Sequence, residues 1–466
     1  MSTGSAGLSV ARSMVGRAQW AARAFARYDK DTVDRIVAAT TTAAAAKAAE
    51  YGQHAVRETG FGVPRHQEFA NVAASRGLLD FYHEHDYVSP RTDAHSVDIP
   101  RPAGVVLALT SPTTPVAALY RTALVALMTR NVVIISPDPA AKDVCASAAA
   151  TLAEAAVTAG APDGVIQVVD DPSSELVRAL RADERIDLVI AQVTRAGNTP
   201  VLVDETADLA AAAAPIVDSK AFDNSARDTA ESVLIITAAV ADDLVRHLER
   251  AGASLLASDE RDRMRALLFP GGTFDPRLLG RDATWIAEQA GIAVRPETRI
   301  LLAPFDLVVP EEPLAHQKPC PVLGLVRVAN GARGIDAARA VLRVGAGGGG
   351  GGGDDGGDGD GGGGGRGGCA GRRAAIHSGD SRTILAYGAA LPVARVCVNG
   401  GEGPGGGTVD TDPRPEQMTT WTRMVSRTDG RDFAGPAPWA TPEGPVPGYP
   451  HPSNRPSDAA HPSAVT

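Results

Sequence analysis

The residues best placed to do chemistry lie in SKAFDNSARDTAESVLIIT, positions 219–237, where Arg227 and Asp228 stand between a polar loop and the apolar run Ser232–Thr237. That run has the β-branched composition of a buried strand, so the loop opens at a sheet edge, a position that commonly carries chemistry in α/β proteins. A carboxylate at 228 reads either as a catalytic group or as a solvated loop acid beside Arg227, and pairing with Arg227 is the simpler account. The four cysteines, Cys145, Cys320, Cys369 and Cys397, are far apart with no Cys-x-x-Cys spacing. They are expected to be free thiols in a reducing compartment, with no zinc site. Cys320 and Cys397 flank strands in apolar contexts, where a free cysteine is more often an inert core residue than a nucleophile.

Two further features invite a chemical reading and do not sustain it. Gly345–Gly371 holds 19 glycines and four aspartates in 27 residues. It lacks the fixed glycine register of a phosphate-cradling loop, and its acids would repel phosphate. With no large apolar side chain it is expected to be a disordered insertion. The last thirty residues, from Pro436, are rich in Pro, Ser and His and read as a flexible tail in which His451 and His461 make a weak metal site.

The elements that must hold these residues alternate in type. Apolar runs at 105–109, 132–135, 165–169 and 188–191 alternate with helical stretches at 116–128, 140–159 and 173–182, and a further run at 201–203 precedes a helix at 209–217. This is the order of a parallel, doubly wound sheet with helices on its faces. A second such series runs through strands 232–237, 300–302, 322–328, 374–377 and 394–398. The expected architecture is therefore α/β with two domains. Residues 1–218 form N-terminal helices and a first α/β domain, and 219–435 a second one interrupted by the glycine run; 436–466 is a disordered tail. Near the N-terminus, Asp31 is a plausible helix cap before Val33, Ile36 and Val37. Residues 1–28, rich in Arg and Ser and free of acids, read as an ordinary surface helix, because the preference for Arg (forty) over Lys (five) runs through the whole chain.

A net charge of −10 disfavours nucleic acid and anionic membranes as partners, and no run of about twenty apolar residues exists to span a bilayer. A cytoplasmic protein is the expectation.

Four strings in order, LALTSPTTPVAAL (107–119), ALMTRNVVIISPDP (126–139), NTPVLVDETAD (198–208) and 219–233, resemble the CoA-acylating branch of the aldehyde dehydrogenase superfamily, with sulfoacetaldehyde and acetaldehyde dehydrogenases as relatives. The resemblance covers roughly residues 10–435. It implies NAD or NADP as cofactor, CoA as co-substrate, a small aldehyde as substrate and a homo-oligomer. It also implies a cysteine thiolate that attacks the aldehyde and an oxyanion donor that meets it. The family's cysteine falls on Asp228, and its oxyanion Asn, in a Pro-x-Thr-Asn-Pro turn, on Thr114 of Pro112-Thr-Thr-Pro115. The family's ribose-holding Glu matches Gln317 in Gln317-Lys-Pro-Cys-Pro-Val322. Ser136 and Gly197 remain as cofactor contacts. Between Ala191 and Gly197 roughly twenty family residues beside the dinucleotide are missing, with the gap near 193–196. The resemblance thus implies a catalytically impaired enzyme with weak dinucleotide binding or, as the alternative, a non-catalytic structural or oligomer partner.

Overall fold

In this computed structural model the described residues are 3–93, 95–191, 198–227, 230–347, 373–401 and 413–425. Asp228, Gly197, the gap near 193–196, most of the glycine run and the tail from 436 lie outside them. The described residues build three sheets. Four parallel strands, in the order 166–168, 132–136, 105–109, 188–191, form the first. Seven parallel strands, in the order 395–398, 373–377, 199–203, 231–237, 322–328, 300–304, 253–255, form the second. A small antiparallel sheet joins Arg91–Thr92, Ser96–Pro102 and Thr419–Val425. Parallel strands covered on both faces need apolar residues throughout, and Val132–Ser136, Thr199–Val203 and Glu231–Thr237 are buried at every position.

Sheet membership changes between Ala191 and Thr199, earlier than the boundary at 218 expected from the sequence. Strand Thr199–Val203 pairs with 231–237 on one side and 373–377 on the other. Helix Leu209–Ala221 sets Ala212, Ala213, Ile216 and Val217 against that larger sheet. Strands Leu188–Ala191 and Thr199–Val203 follow one another with no helix between them among the described residues, so the strand-and-helix alternation breaks at the crossing. Strand Leu188–Ala191 pairs on one side only among the described residues, and it leaves Val189 39% exposed.

Helix Thr3–Phe25 buries Ala11, Val15, Ala18, Ala21 and Phe25, a stripe at helical spacing, in the core of the first sheet. The cap of the next helix is Asp29, not Asp31: its carboxylate accepts from Thr32 N at 2.9 Å. Val33, Ile36 and Val37 are buried as their spacing predicts.

Asn131, fully buried between helix Pro115–Met128 and strand Val132–Ser136, ties the antiparallel sheet to this core. Its Oδ1 accepts from Gly104 N at 2.8 Å, and its Nδ2 donates to Met418 O at 2.8 Å. Asn131→Ala would orphan a buried donor and a buried acceptor. It should lower stability by on the order of 3 kcal/mol, read as a lower urea midpoint; an unchanged midpoint would refute the anchoring role.

Candidate active site

The C-terminal ends of the four-stranded sheet and the N-terminal ends of the seven-stranded one are joined by a chain of buried polar contacts. The turn Phe222–Ser225, which leads to position 228, is its centre. Asp223, Asn224 and Ser225 all have positive φ, at 53°, 52° and 58°. Three successive non-glycine residues in this region cost roughly 1–2 kcal/mol each and persist only when their surroundings fix them. The Asp223 carboxylate accepts from Val63 N and from Gln67 Nε2, both at 2.7 Å. The Asp223 amide donates to His66 Nδ1 at 2.8 Å, Asn224 Nδ2 to Gly280 O at 3.0 Å, and Ser225 Oγ to Lys220 O. Gly62 permits this approach: it has φ +85°, and a Cβ there would lie 2.7 Å from Asp223 Oδ1.

Gln67 Nε2 also donates to Thr113 O at 2.8 Å, so one amide group joins the turn before position 228 to the turn that carries Thr114. Thr114 is half-buried at the N-terminus of helix Pro115–Met128, and its side chain makes no capping bond. Ser136 ends its strand 4% exposed, with its carbonyl accepting from Thr110 N of the same loop. On the other side, Lys220 Nζ donates to Lys318 O at 3.1 Å, next to half-buried Gln317, and Lys318 Nζ donates to Leu314 O and His316 O at 2.6 Å. Asn198 Nδ2 reaches Ala315 O at 2.7 Å. Thr114, Ser136 and Gln317 are thus brought to one polar seam; Asp228 and Gly197 fall outside the described residues.

Burial sets the electrostatics. It pushes the Asp223 carboxyl up to about 6, opposed by the Val63 and Gln67 bonds and by Arg227. It pulls His66 down to about 4, consistent with a neutral ring whose Nδ1 accepts a bond. Burial lowers Lys220 to about 8 and, with Lys220 beside it, holds Lys318 well below the usual lysine range. The Cys320 and Cys145 thiols are both pushed up by burial, and both are fully enclosed. Neither can present a thiolate to solvent. Cys397 is half-buried in the outer strand Arg395–Val398.

Polar groups for a dinucleotide are partly present. Ser136 and Gln317 stand on the two sides of the seam. The N-terminus of helix Lys142–Thr158, which follows Ser136, is not free for a phosphate: the Glu58 carboxylate accepts from Asp143 N and Val144 N, both at 2.8 Å. A cavity of about 910 Å³ opens elsewhere, between helices Thr3–Phe25 and Lys142–Thr158 and segment 166–176. Asp170, Asp171 and Glu175 line it, and none of the seam residues does.

Asp223, His66, Gln67 and the lysine pair escaped the reading of the sequence as site residues. One signal was available: Lys220 and Lys318 are two of only five lysines in a chain with forty arginines. Folding leaves each lysine desolvated, and the sign follows from proton linkage. Between about 8 and the unfolded value of 10.5 the unfolded chain holds a proton that folded Lys220 has shed, so stability rises with pH in that window. Below about 8 the penalty is complete. Lys220→Met should therefore raise stability at neutral pH and flatten the rise between pH 8 and 10.5 in urea titrations; a variant less stable than the parent at pH 7 with the same slope would contradict this.

The aldehyde dehydrogenase family profile matches residues 3–195. Over 413 residues the chain is 31% identical to the acylating sulfoacetaldehyde dehydrogenase of Cupriavidus necator, covering 83% of this chain and 78% of that protein. It is 33% identical over 327 residues to the acetylating acetaldehyde dehydrogenase of Escherichia coli, covering 65% and 69%. It is also 30% identical over 353 residues to the bifunctional aldehyde-alcohol dehydrogenase of Escherichia coli; the match takes in 72% of this chain but spans only 40% of that longer protein. Among solved structures, an acetylating aldehyde dehydrogenase from Geobacillus thermoglucosidasius superposes with a TM-score of 0.83 at 24% identity, over 92% of this chain and 98% of that one. That likeness establishes the two-domain α/β fold. On the strength of these relatives, the chain belongs to the aldehyde dehydrogenase family, in its CoA-acylating branch.

Proposed function

We propose that this chain is an acylating aldehyde dehydrogenase-like protein that meets small aldehydes of the acetaldehyde or sulfoacetaldehyde class, CoA and NAD(P), and in which turnover is impaired. The observation that carries this reading is the carboxylate at 228, where the family's thiol stands, in a chain whose Cys145 and Cys320 are both sealed in the core. When bound, the dinucleotide would accept the hydride and CoA the acyl group. The protein's own part is to add a nucleophile to the carbonyl, hold the resulting oxyanion and release the acyl group to CoA. A carboxylate is a harder and weaker nucleophile than a thiolate, and its aldehyde adduct reverts instead of waiting for hydride loss. No thioester can form on it. Thr114 offers a hydroxyl where the family has an amide, and loss of an oxyanion donor costs on the order of 10²–10³ in rate.

Weak dinucleotide binding belongs to the same reading. Gln317 exchanges a charged acceptor for a neutral one at the ribose, and Glu58 already fills the adjacent helix N-terminus. The family's usual homo-oligomer, and a role as a non-catalytic partner in it, remain compatible with a preserved framework and an altered centre.

Two measurements test the reading. CoA-dependent NAD(P)H formation with acetaldehyde, glycolaldehyde or sulfoacetaldehyde should be absent, and Asp228→Cys alone should not restore it, because residues that act as a unit are strongly non-additive. Turnover above about 0.1 per second, against a typical enzyme's roughly 10, would overturn the reading; its loss on Cys397→Ser would identify a relocated nucleophile. Titration with NADH and NADPH followed by fluorescence should give no low-micromolar dissociation constant. In the native protein an alkylating reagent should leave Cys145 and Cys320 unmodified until denaturant is added; rapid native labelling of Cys320 would contradict its enclosure.

A further inference from the structure

We propose that Asp223 and Gln67 form a clasp that positions the two halves of the aldehyde site: Asp223 is a positioning residue that fixes the turn entering position 228, and Gln67 holds that turn in register with the turn carrying Thr114. The inference rests on the reading above only in taking position 228 and Thr114 as the two halves of one site. The clasp itself stands on geometry. The single Gln67 nitrogen carries two hydrogens, and each has one acceptor: Asp223 Oδ2 at 2.7 Å and Thr113 O at 2.8 Å. Gln67 is 2% exposed and its Oε1 has no partner, so the side chain is held by its donor end alone. An amide kept in the interior with an orphaned oxygen is costly, and the cost is sustained when the donor end does something that an apolar residue could not.

The turn needs this support. Its three residues of positive φ place the chain in a conformation that a relaxed loop would leave, and such strain gathers where geometry matters to function. From helix Pro64–Val72, His66 accepts the Asp223 amide proton and stacks on Phe222 at 4.5 Å between ring centroids. Just after the turn, Arg227 lies over the same Phe222 ring, 5.6 Å from its centroid. Among the described residues, the charged or titratable groups beside Asp223 are thus His66 on the helix and Arg227 just after the turn. Val63, before the helix, supplies the remaining donor. Removing the carboxylate's negative charge would leave Gln67 free to rotate, and rotation would present its oxygen to Thr113 O and break the register.

Hydrogen exchange by mass spectrometry on the full chain tests the clasp through two segments far apart in sequence, 59–72 and 108–118. Asp223→Asn keeps an acceptor for Val63 but sets an NH₂ against the Gln67 NH₂; Gln67→Glu keeps the shape and removes the donor. Each should speed exchange in both segments about tenfold or more, the scale of a lost hydrogen bond to a charged group. Gln67→Lys, which has donors enough for both acceptors, should retain near-native exchange. A purely structural residue would show no such recovery. In the unmutated protein, protection of the Val63 amide, corrected for intrinsic rate, should fall as pH drops through about 6, where the carboxyl takes up a proton, and this step should vanish in Asp223→Asn. Exchange in 108–118 that stays native in both disruptive variants, or Gln67→Lys as loose as Gln67→Glu, would overturn the proposal. If the variants fail to fold, a Val63 protection that is flat from pH 7 to 5 in the unmutated chain would do so. Turnover with aldehyde and CoA would sink the impaired-enzyme reading and leave these exchange outcomes untouched.

Discussion

A carboxylate in the interior is expensive, and the arrangement around Asp223 shows what it takes to keep one there. Its two oxygens are met by a backbone N–H and a side-chain amide, its own N–H is taken by a neutral imidazole, and Gly62 leaves room for the approach. Charge-assisted bonds of this kind are worth about 1.5–3 kcal/mol each. That is the same scale as the strain in the left-handed turn they hold. Without them the turn would relax, and the loop that enters strand Glu231–Thr237 would lose its direction. The seam between the sheets depends on this point, because the same amide reaches Thr113.

The second half of the seam is held by two lysines that donate to main-chain oxygens. Lys220 and Lys318 are buried and donate to backbone carbonyls of the loop 314–318, which brings segment 219–220 against the loop before strand Val322–Val328. A guanidinium is wider and stays charged at any ordinary pH, whereas a lysine can shed its proton when desolvated. That difference accounts for lysine at two fully enclosed positions in a chain that otherwise uses arginine almost everywhere. It also separates these lysines from catalysis: groups so enclosed, bonded to main-chain oxygens, hold the loops in place and do not meet solvent.

Much of the framework was legible in the sequence because it is governed by local periodicity. The apolar runs at 105–109, 132–135 and 232–237 are strands at those positions, and the helices between them lie where the spacing puts them. The change of sheet before Thr199 falls where two apolar runs, 188–191 and 201–203, follow one another without a helix, a break that the expected boundary at 218 passed over because a strand buried in one parallel sheet looks like a strand buried in another. The helix cap was misplaced by two residues because Asp29 and Asp31 carry the same chemistry, and only backbone geometry separates them. In the site, Thr114, Ser136 and Gln317 came from resemblance and do gather at the seam. Asp223, Gln67 and His66 did not emerge, since their significance lies in contacts between residues more than 150 positions apart.

The preserved and altered features divide along a physical line. The left-handed turn, its buried partners and the strands that frame them are groups whose loss would misdirect the framework. In the proposed reading the departures fall on groups whose chemistry acts on ligands, with Asp at 228, Thr at 114 and Gln at 317. An acid that keeps its hydration costs little stability, because it can be solvated or paired at near-zero net energy. A change at Asp223 would leave the buried Val63 and Gln67 donors unsatisfied and cost several times more. Stability alone can therefore maintain the scaffold of a catalytic site after the reacting groups have changed, and a well-formed seam is evidence of a retained fold before it is evidence of retained chemistry.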